Sequence, residues 1–253
     1  MQMTGNTIFI TGGGSGIGRG LAEAFHKLGN KVIIGGRRRE VLAETAAANT
    51  GVELITLDTA NRDSIRAVAM DVTSRWPKLN VVINNAGVQR PEDFANAPVE
   101  ERDFEQEIET NIYGVLRVTN AFLPHLKQQA EATLINVSSG LAFLPLAQFP
   151  VYCATKAFVH SFTMSLRHQL RGTSVRVVEL APPWVKTDLD AQHRSSVPSG
   201  NNMGPMPLPD FIAAAMQDLA SDQDELPVAG AKFLYSAGVS DKAKDVFRQM
   251  NNG

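Results

Sequence analysis

Thr7-Ile8-Phe9-Ile10-Thr11-Gly12-Gly13-Gly14-Ser15-Gly16-Ile17-Gly18 is the stretch from which the fold is read. Thr7 to Ile10 is a short apolar run that stops at glycines, the pattern of a buried parallel strand. Leu21-Ala22-Glu23-Ala24-Phe25 follows at helical spacing. Strand, glycine loop and helix in that order aim backbone N–H groups from a helix N-terminus, a ready seat for a pyrophosphate. Gly12 permits the tight turn, Gly16 the close approach of a phosphate, and Gly18 the close helix–strand contact. Ser15 and Ile17 complete the loop, so Gly12, Ser15, Gly16, Ile17 and Gly18 are the candidate contacts. A flexible turn without ligand is the competing reading, and the flanking strand and helix argue against it.

Outward from this stretch, apolar runs and helical stretches alternate. Residues 31–34, 52–58, 81–83, 133–140 and 174–180 read as further strands, with Leu226-Pro227-Val228 as a short seventh candidate. Helices are expected at 41–49, 64–76, 103–130, about 152–171, 229–236 and 241–250. The 103–130 stretch reads as one long helix with Asn111 inside it and Pro124 near its end. Strands separated by helices throughout imply right-handed βαβ units. The expectation is α/β: a doubly wound parallel sheet of six or seven strands, helices on both faces, in a single domain spanning 1–253.

Composition narrows the function. Of 253 residues, 43% are hydrophobic, enough for one substantial core. Lys+Arg number 24 against Asp+Glu 26, a net charge of −2 without a basic block, which disfavours nucleic acid and anionic membrane as partners. No apolar run approaches the ~18 residues of a membrane span. Cys153 is the single cysteine, which excludes an internal disulfide or cysteine-rich metal site. The polar N-terminus lacks a signal-peptide core. A cytoplasmic protein without bound metal is expected.

After the second strand, a NAD-binding chain tends to carry an acid for the ribose 2′-hydroxyl. Here the chain reads Gly35-Gly36-Arg37-Arg38-Arg39. Guanidinium groups there suit the 2′-phosphate of NADP, and Arg37 is the leading candidate because it follows the strand most closely. Solvated arginines opening a helix are the alternative. Asp58 could accept from the adenine amino group or simply cap the next helix. Asn85, Ala86 and Gly87 are small enough to let backbone lie against a flat ligand. Residues 188–212, rich in Ser, Asn, Gly and Pro, read as a mobile substrate lid or as a plain loop. Phe143, Leu144, Phe149, Val151 and Trp184 suggest an apolar pocket, with Gln89, Arg90, Gln148 and His193 as its polar candidates.

Tyr152-Cys153-Ala154-Thr155-Lys156 places a phenol and an ammonium one helical turn apart. Bringing a tyrosine from about 10 to about 7 takes roughly 4 kcal/mol. One unit charge at ~4 Å in a medium of dielectric ~20 supplies about that much. Tyr-x-x-x-Lys by itself is frequent on surface helices, so its weight comes from company.

That company is Thr-Gly-x-x-x-Gly-Ile-Gly at 11–18, Asn-Asn-Ala-Gly at 84–87, Asn111, Ser139, and Pro-Pro-x-Val-x-Thr at 182–187. Over roughly residues 5–190 the chain resembles the short-chain dehydrogenase/reductase family of the standard short type. The resemblance implies a Rossmann-type fold and hydride exchange between a nicotinamide and a carbonyl or secondary alcohol; NADP is preferred over NAD on the arginines and the missing acid after the second strand. It implies that Tyr152 is the proton donor or acceptor, that Lys156 lowers its pKa and holds the nicotinamide ribose, and that Ser139 orients the substrate oxygen. Asn111 would hold a proton-relaying water, and Val185 and Thr187 would touch the nicotinamide amide. It further implies a homodimer or homotetramer paired through the long helices; covering the sheet alone is the other role open to them. Ser139 and Tyr152 both suit the negative charge that grows on a reduced carbonyl oxygen. Two features depart from the family: Pro183 stands where a glycine is usual, and the C-terminal end is helical. That ending is similar to a subgroup of oxidoreductases linked to D-alanylation of teichoic acids. A non-catalytic NADP(H)-binding sensor or scaffold on the same fold is the rival function, and a methyltransferase is disfavoured by the Ser–Tyr–Lys set.

Overall fold

The computed structural model describes residues 1–96, 98–189 and 204–240, with positions 245, 246 and 249. Its strands are β1 (Thr7–Thr11), β2 (Lys31–Gly36), β3 (Glu53–Thr56), β4 (Leu79–Asn84), β5 (Ala132–Val137), β6 (Val175–Ala181) and β7 (Glu225–Pro227). They form one parallel sheet in the order β3-β2-β1-β4-β5-β6-β7. The helices are α1 (Gly16–Lys27), α2 (Arg39–Ala48), α3 (Arg62–Arg75), α4 (Glu101–Ile108), α5 (Gly114–Leu126), α6 (Pro150–Gln169), α7 (Leu208–Leu219) and α8 (Ala231–Gly238).

Side chains alternate across the pleat, so each strand feeds two cores. Ile8, Ile10, Val32, Ile34, Val81 and Ile83 face one layer, where Leu21 and Phe25 of α1 meet Phe211, Ala215 and Leu219 of α7. Phe9, Ile33, Val82, Leu134 and Val177 face the other, packed by α3, α5 and α6. Phe9 and Phe122 stack there with ring centroids 5.1 Å apart. Two covered faces are why these strands read as continuous apolar runs. The strand order reverses between β1 and β4, and in such sheets ligands bind beyond the strand ends at that switch point.

Three expectations change. The 103–130 stretch is not one helix: α4 and α5 are joined by a π turn at Glu109–Tyr113, and Asn111 sits within it. The end of the expected lid is ordered helix, because α7 begins at Leu208 and buries Phe211 completely. Pro207 and Pro209 suggested a loop, yet proline is well accommodated in a helix's first turn. Asp58 caps nothing: its Oδ1 accepts from Ala60 N at 3.0 Å, and Asn61 caps α3. The remaining lid positions 190–203, His193 among them, lie outside the described residues, as does most of the helix expected at 241–250. Within the described residues, no helix is long and apolar enough to cross a membrane.

Candidate active site

The loops after β1 and β4 are tied together at the switch point. Thr11 Oγ1 accepts from Asn85 N at 3.0 Å and Ala86 N at 3.1 Å, while Asn85 Nδ2 donates to Thr11 O at 2.9 Å. Gly12 has φ +69°, a conformation that favours glycine. At Gly18 a Cβ would stand 2.3 Å from Gly12 O and 2.4 Å from Asn85 Nδ2, so helix, loop and strand meet without room for a side chain. Ser15 is extended and makes no side-chain cap, which leaves the first N–H groups of α1 pointing out of the helix. Thr187 reaches this loop: its Cβ and Cγ2 lie 3.4 Å from where a Cβ of Gly16 would be. Val185 is buried and bridges to Met206, which pins the 184–187 segment. The open N–H groups beside glycines, with Thr187 over Gly16, fit a dinucleotide whose pyrophosphate sits on the helix start.

Beyond β2 the arginines are exposed. The guanidinium that reaches the glycine loop is that of Arg38, donating from Nη2 to Ser15 Oγ at 3.3 Å. Arg37, singled out from its proximity to the strand, makes no such contact among those seen.

Across the sheet, α6 opens with Pro150 and carries Tyr152 and Lys156 on its inner face, 7% and 6% exposed. Lys156 Nζ lies 5.6 Å from the Tyr152 ring centroid and donates to Val137 O at 2.9 Å. Ser139 follows β5, and hydrogen bonding to its hydroxyl favours the Tyr152 phenolate. Asn111 Oδ1 accepts from Val88 N at 2.9 Å, and Nδ2 donates to Val88 O at 2.8 Å and Thr155 Oγ1 at 3.1 Å. The amide therefore clamps the segment after Gly87 to α6. A Cβ at Gly87 would lie 3.3 Å from Asn111 Oδ1 and 3.6 Å from Lys156 Nζ. The structure thus gathers Asn111, Ser139, Tyr152, Lys156 and Gly87 into one corner, and Gly12, Ser15, Gly16, Ile17, Gly18, Asn85, Ala86 and Thr187 along the adjoining crevice.

The electrostatics differ from the simple phenol–ammonium pair. Burial pushes the Tyr152 phenol above its ordinary range, against the opposing pull of Ser139. Burial also pulls Lys156 down to about 8, opposed by Glu107 and Glu179. The downward shift expected for Tyr152 is absent from the chain alone because dehydration of a phenolate outweighs the neighbouring hydroxyl.

Several pocket candidates serve elsewhere. Phe143 packs edge-on against His160 and Tyr235, both at 4.9 Å between centroids. Leu144 clusters with Leu234 and Ala237 of α8. Both anchor α8. Phe149 does pack beside Tyr152 and Cys153.

Sequence reasoning missed two polar groups. Glu179 on β6 takes the hydroxyl of Ser138 and lies 2.7 Å from His160 Nδ1, whose pKa its hydrogen bond raises. Glu107 on α4 is fully buried, and burial together with the Glu92 carboxyl raises its pKa well above the carboxylate range. The signal for Glu107 was its spacing, one turn before Asn111 on a helix whose other acids look solvated.

Fold and crevice define a nicotinamide-dependent oxidoreductase, and the chain belongs to the short-chain dehydrogenase family, whose model it matches over residues 6–198. It is 40% identical to an uncharacterized oxidoreductase of Bacillus subtilis strain 168, DltE, over 251 residues, 99% of this chain and 98% of that one. It is 36% identical over 180 residues to the NADP-dependent 3-hydroxy acid dehydrogenase YdfG of Shigella flexneri, covering 70% of this chain and 72% of the relative. Among solved structures, a short chain dehydrogenase from Burkholderia cenocepacia J2315 in complex with NADP is similar at TM-score 0.83 and 26% identity, over 98% of each chain. A 3-ketoacyl-(acyl-carrier-protein) reductase from Brucella melitensis complexed with NADH is similar at TM-score 0.77 and 29% identity, over 89% of this chain and 97% of that one. The DltE likeness agrees with the subgroup suggested by the C-terminal segment. Both dinucleotides occur among these similar structures, so the fold alone does not choose between them.

Proposed function

We propose that this chain interconverts a carbonyl compound and a secondary alcohol with NADP(H), Tyr152 acting as general acid and base. The observation that carries this reading is one helical turn: Tyr152 and Lys156 share the buried face of α6, with the Ser139 hydroxyl at the phenol. The nicotinamide, when bound, supplies or accepts the hydride. Ser139 orients the substrate oxygen and stabilises the negative charge that grows on it during reduction. Tyr152, kept protonated by burial, donates a proton to that oxygen. Lys156 carries positive charge below about pH 8 and stabilises the phenolate left behind. With both Nδ2 hydrogens engaged, Asn111 keeps acceptor capacity for a water that returns a proton.

The missing acid after β2 and the three arginines support NADP(H), with Arg37 and Arg38 at the 2′-phosphate. Tyr113, Phe158 and Met164 expose 45%, 36% and 48% of their surface on the π turn and α6, which supports pairing of copies through those helices. The test is a scan of carbonyl compounds with NADPH against a Tyr152→Phe control. Turnover by the wild type alone supports the reading, and equal turnover by both overturns it. A sensor on the same fold would bind NADPH and turn over nothing.

A further inference from the structure

Glu107 is 0% exposed and stands one turn before Asn111 on α4. Among the described residues, no N–H or O–H group donates to either of its carboxyl oxygens. Its interacting neighbour is the Glu92 carboxyl. Two carboxylates are acceptors only, so they hydrogen-bond each other only when one holds a proton. An ionised Glu107 would otherwise be a buried charge without a donor, which a protein avoids by neutralising the group. The segment after β4 brings Arg90 and Glu92 toward it, and α6 brings Tyr152, Cys153 and Lys156. Arg90 is held from another side by Gln106 Oε1.

We propose that Glu92 and Glu107 share one proton and that this pair sets the charge on Lys156, which makes Glu107 a positioning residue for proton transfer at Tyr152. The second half of this statement rests on the carbonyl-reductase reading above. While the pair holds its proton, burial governs Lys156 and favours the neutral amine. As pH rises and the pair ionises, the new negative charge favours the ammonium form. The lysine then stays charged at a pH where burial alone would strip it. Cys153 shares the neighbourhood, but its thiol is pushed up to about 11 by burial and stays neutral in this range. Glu179 supports the ammonium from the β6 side, tied to His160 and Ser138.

Two measurements test this on the full chain. The first is the pH profile of kcat/KM for NADPH-dependent carbonyl reduction. In Glu107→Gln the alkaline limb moves down by about one pH unit, the effect of losing a nearby opposite charge. Glu107→Asp restores most of that shift. Glu92→Gln does not move the limb down, because an amide donor lets Glu107 ionise earlier; a downward move in this variant overturns the role at Lys156, so it also serves if Glu107→Gln does not fold. The second is an infrared pH titration of the carbonyl stretch of a protonated carboxyl. The wild type shows a band that disappears as the pair ionises, and Glu107→Gln lacks it. A Glu107→Gln profile identical to wild type overturns the role at Lys156, and a wild type without the band overturns the shared proton. Should no carbonyl compound be reduced, the catalytic reading fails by itself and the infrared titration still decides the pair.

Discussion

The two sides of the switch point handle polarity in opposite ways. On the β1–β2–β3 side the crevice is built from backbone and neutral groups: the Thr11–Asn85 hydrogen bonds, the glycine loop and the open start of α1. Its charged groups, the arginines after β2, stay in solvent. On the β4–β5–β6 side Lys156, Glu107, Glu179 and Tyr152 are 6%, 0%, 1% and 7% exposed. One side is governed by space, and the other by where protons sit. Volume changes should therefore hurt the first, and pH and charge changes the second.

The largest test of this division is Tyr152→Phe. Loss of the general acid is expected to cut carbonyl reduction by about 10²–10⁴-fold while NADPH affinity changes less than about threefold, read by fluorescence titration. A large loss of affinity would show that the two sides do not act separately. Next comes Gly18→Ala, whose Cβ meets the backbone at Gly12 O at 2.3 Å, where no side-chain movement can relieve the clash. It should cost about 2–3 kcal/mol in urea unfolding, to the same extent at pH 6 and pH 8. Arg38→Ala tests the exposed charges: NADPH should bind roughly 10- to 150-fold more weakly, with NADH unchanged. Equal loss for both dinucleotides would assign Arg38 to the loop and not to the 2′-phosphate.

The smallest effect is on stability against pH, and its sign follows from the direction of the shift. Glu107 titrates above its unfolded value of 4.5, at about 8, so between those values the folded chain holds a proton that the unfolded chain releases. Stability should therefore fall as pH rises from about 5 to 8. Glu107→Gln should flatten that slope and gain about 1–2 kcal/mol at pH 8 relative to wild type. Lys156 acts in a different window: its depressed value makes stability rise between about 8 and 10.5. An unchanged slope below pH 8 in the Gln variant would mean that the buried carboxyl is not what titrates.

Much of this was legible beforehand, and the reasons are local. Strands buried on both faces leave short apolar runs, so β1, β2, β4 and β6 were found within a residue or two, whereas β5, read as 133–140, stops at Val137 before the serine pair. β3, read as 52–58, spans only Glu53–Thr56. Tyr152 and Lys156 were placed on one face because four residues make one turn. What escaped depended on contacts distant in sequence. α7 hid behind prolines in its first turn, and its helical character shows in the packing of Phe211 against α1. The π turn escaped because Phe104, Ile108, Ile112 and Val115 recur at three- and four-residue steps straight across it, which reads as one unbroken helix. Glu107 looked like one more acid on the solvated face of Glu-Arg-Asp-Phe-Glu-Gln-Glu-Ile, and only α6 closing over it makes it buried. Arg38, and not the Arg37 singled out from the sequence, reaches Ser15 of the glycine loop, because proximity to a strand in sequence does not set the direction of an exposed side chain.

The π turn at 109–113 carries one more consequence. Each inserted residue adds about 100° of helical phase, so α4 and α5 are set against each other by a little over a quarter turn. Glu107 and Asn111 can face α6 while Val118, Phe122 and Leu126 still seat against the sheet, an arrangement fixed by the number of residues and not by any single side chain. Shortening the segment by one residue would turn the wheel back, and no substitution elsewhere along it could restore both alignments at once.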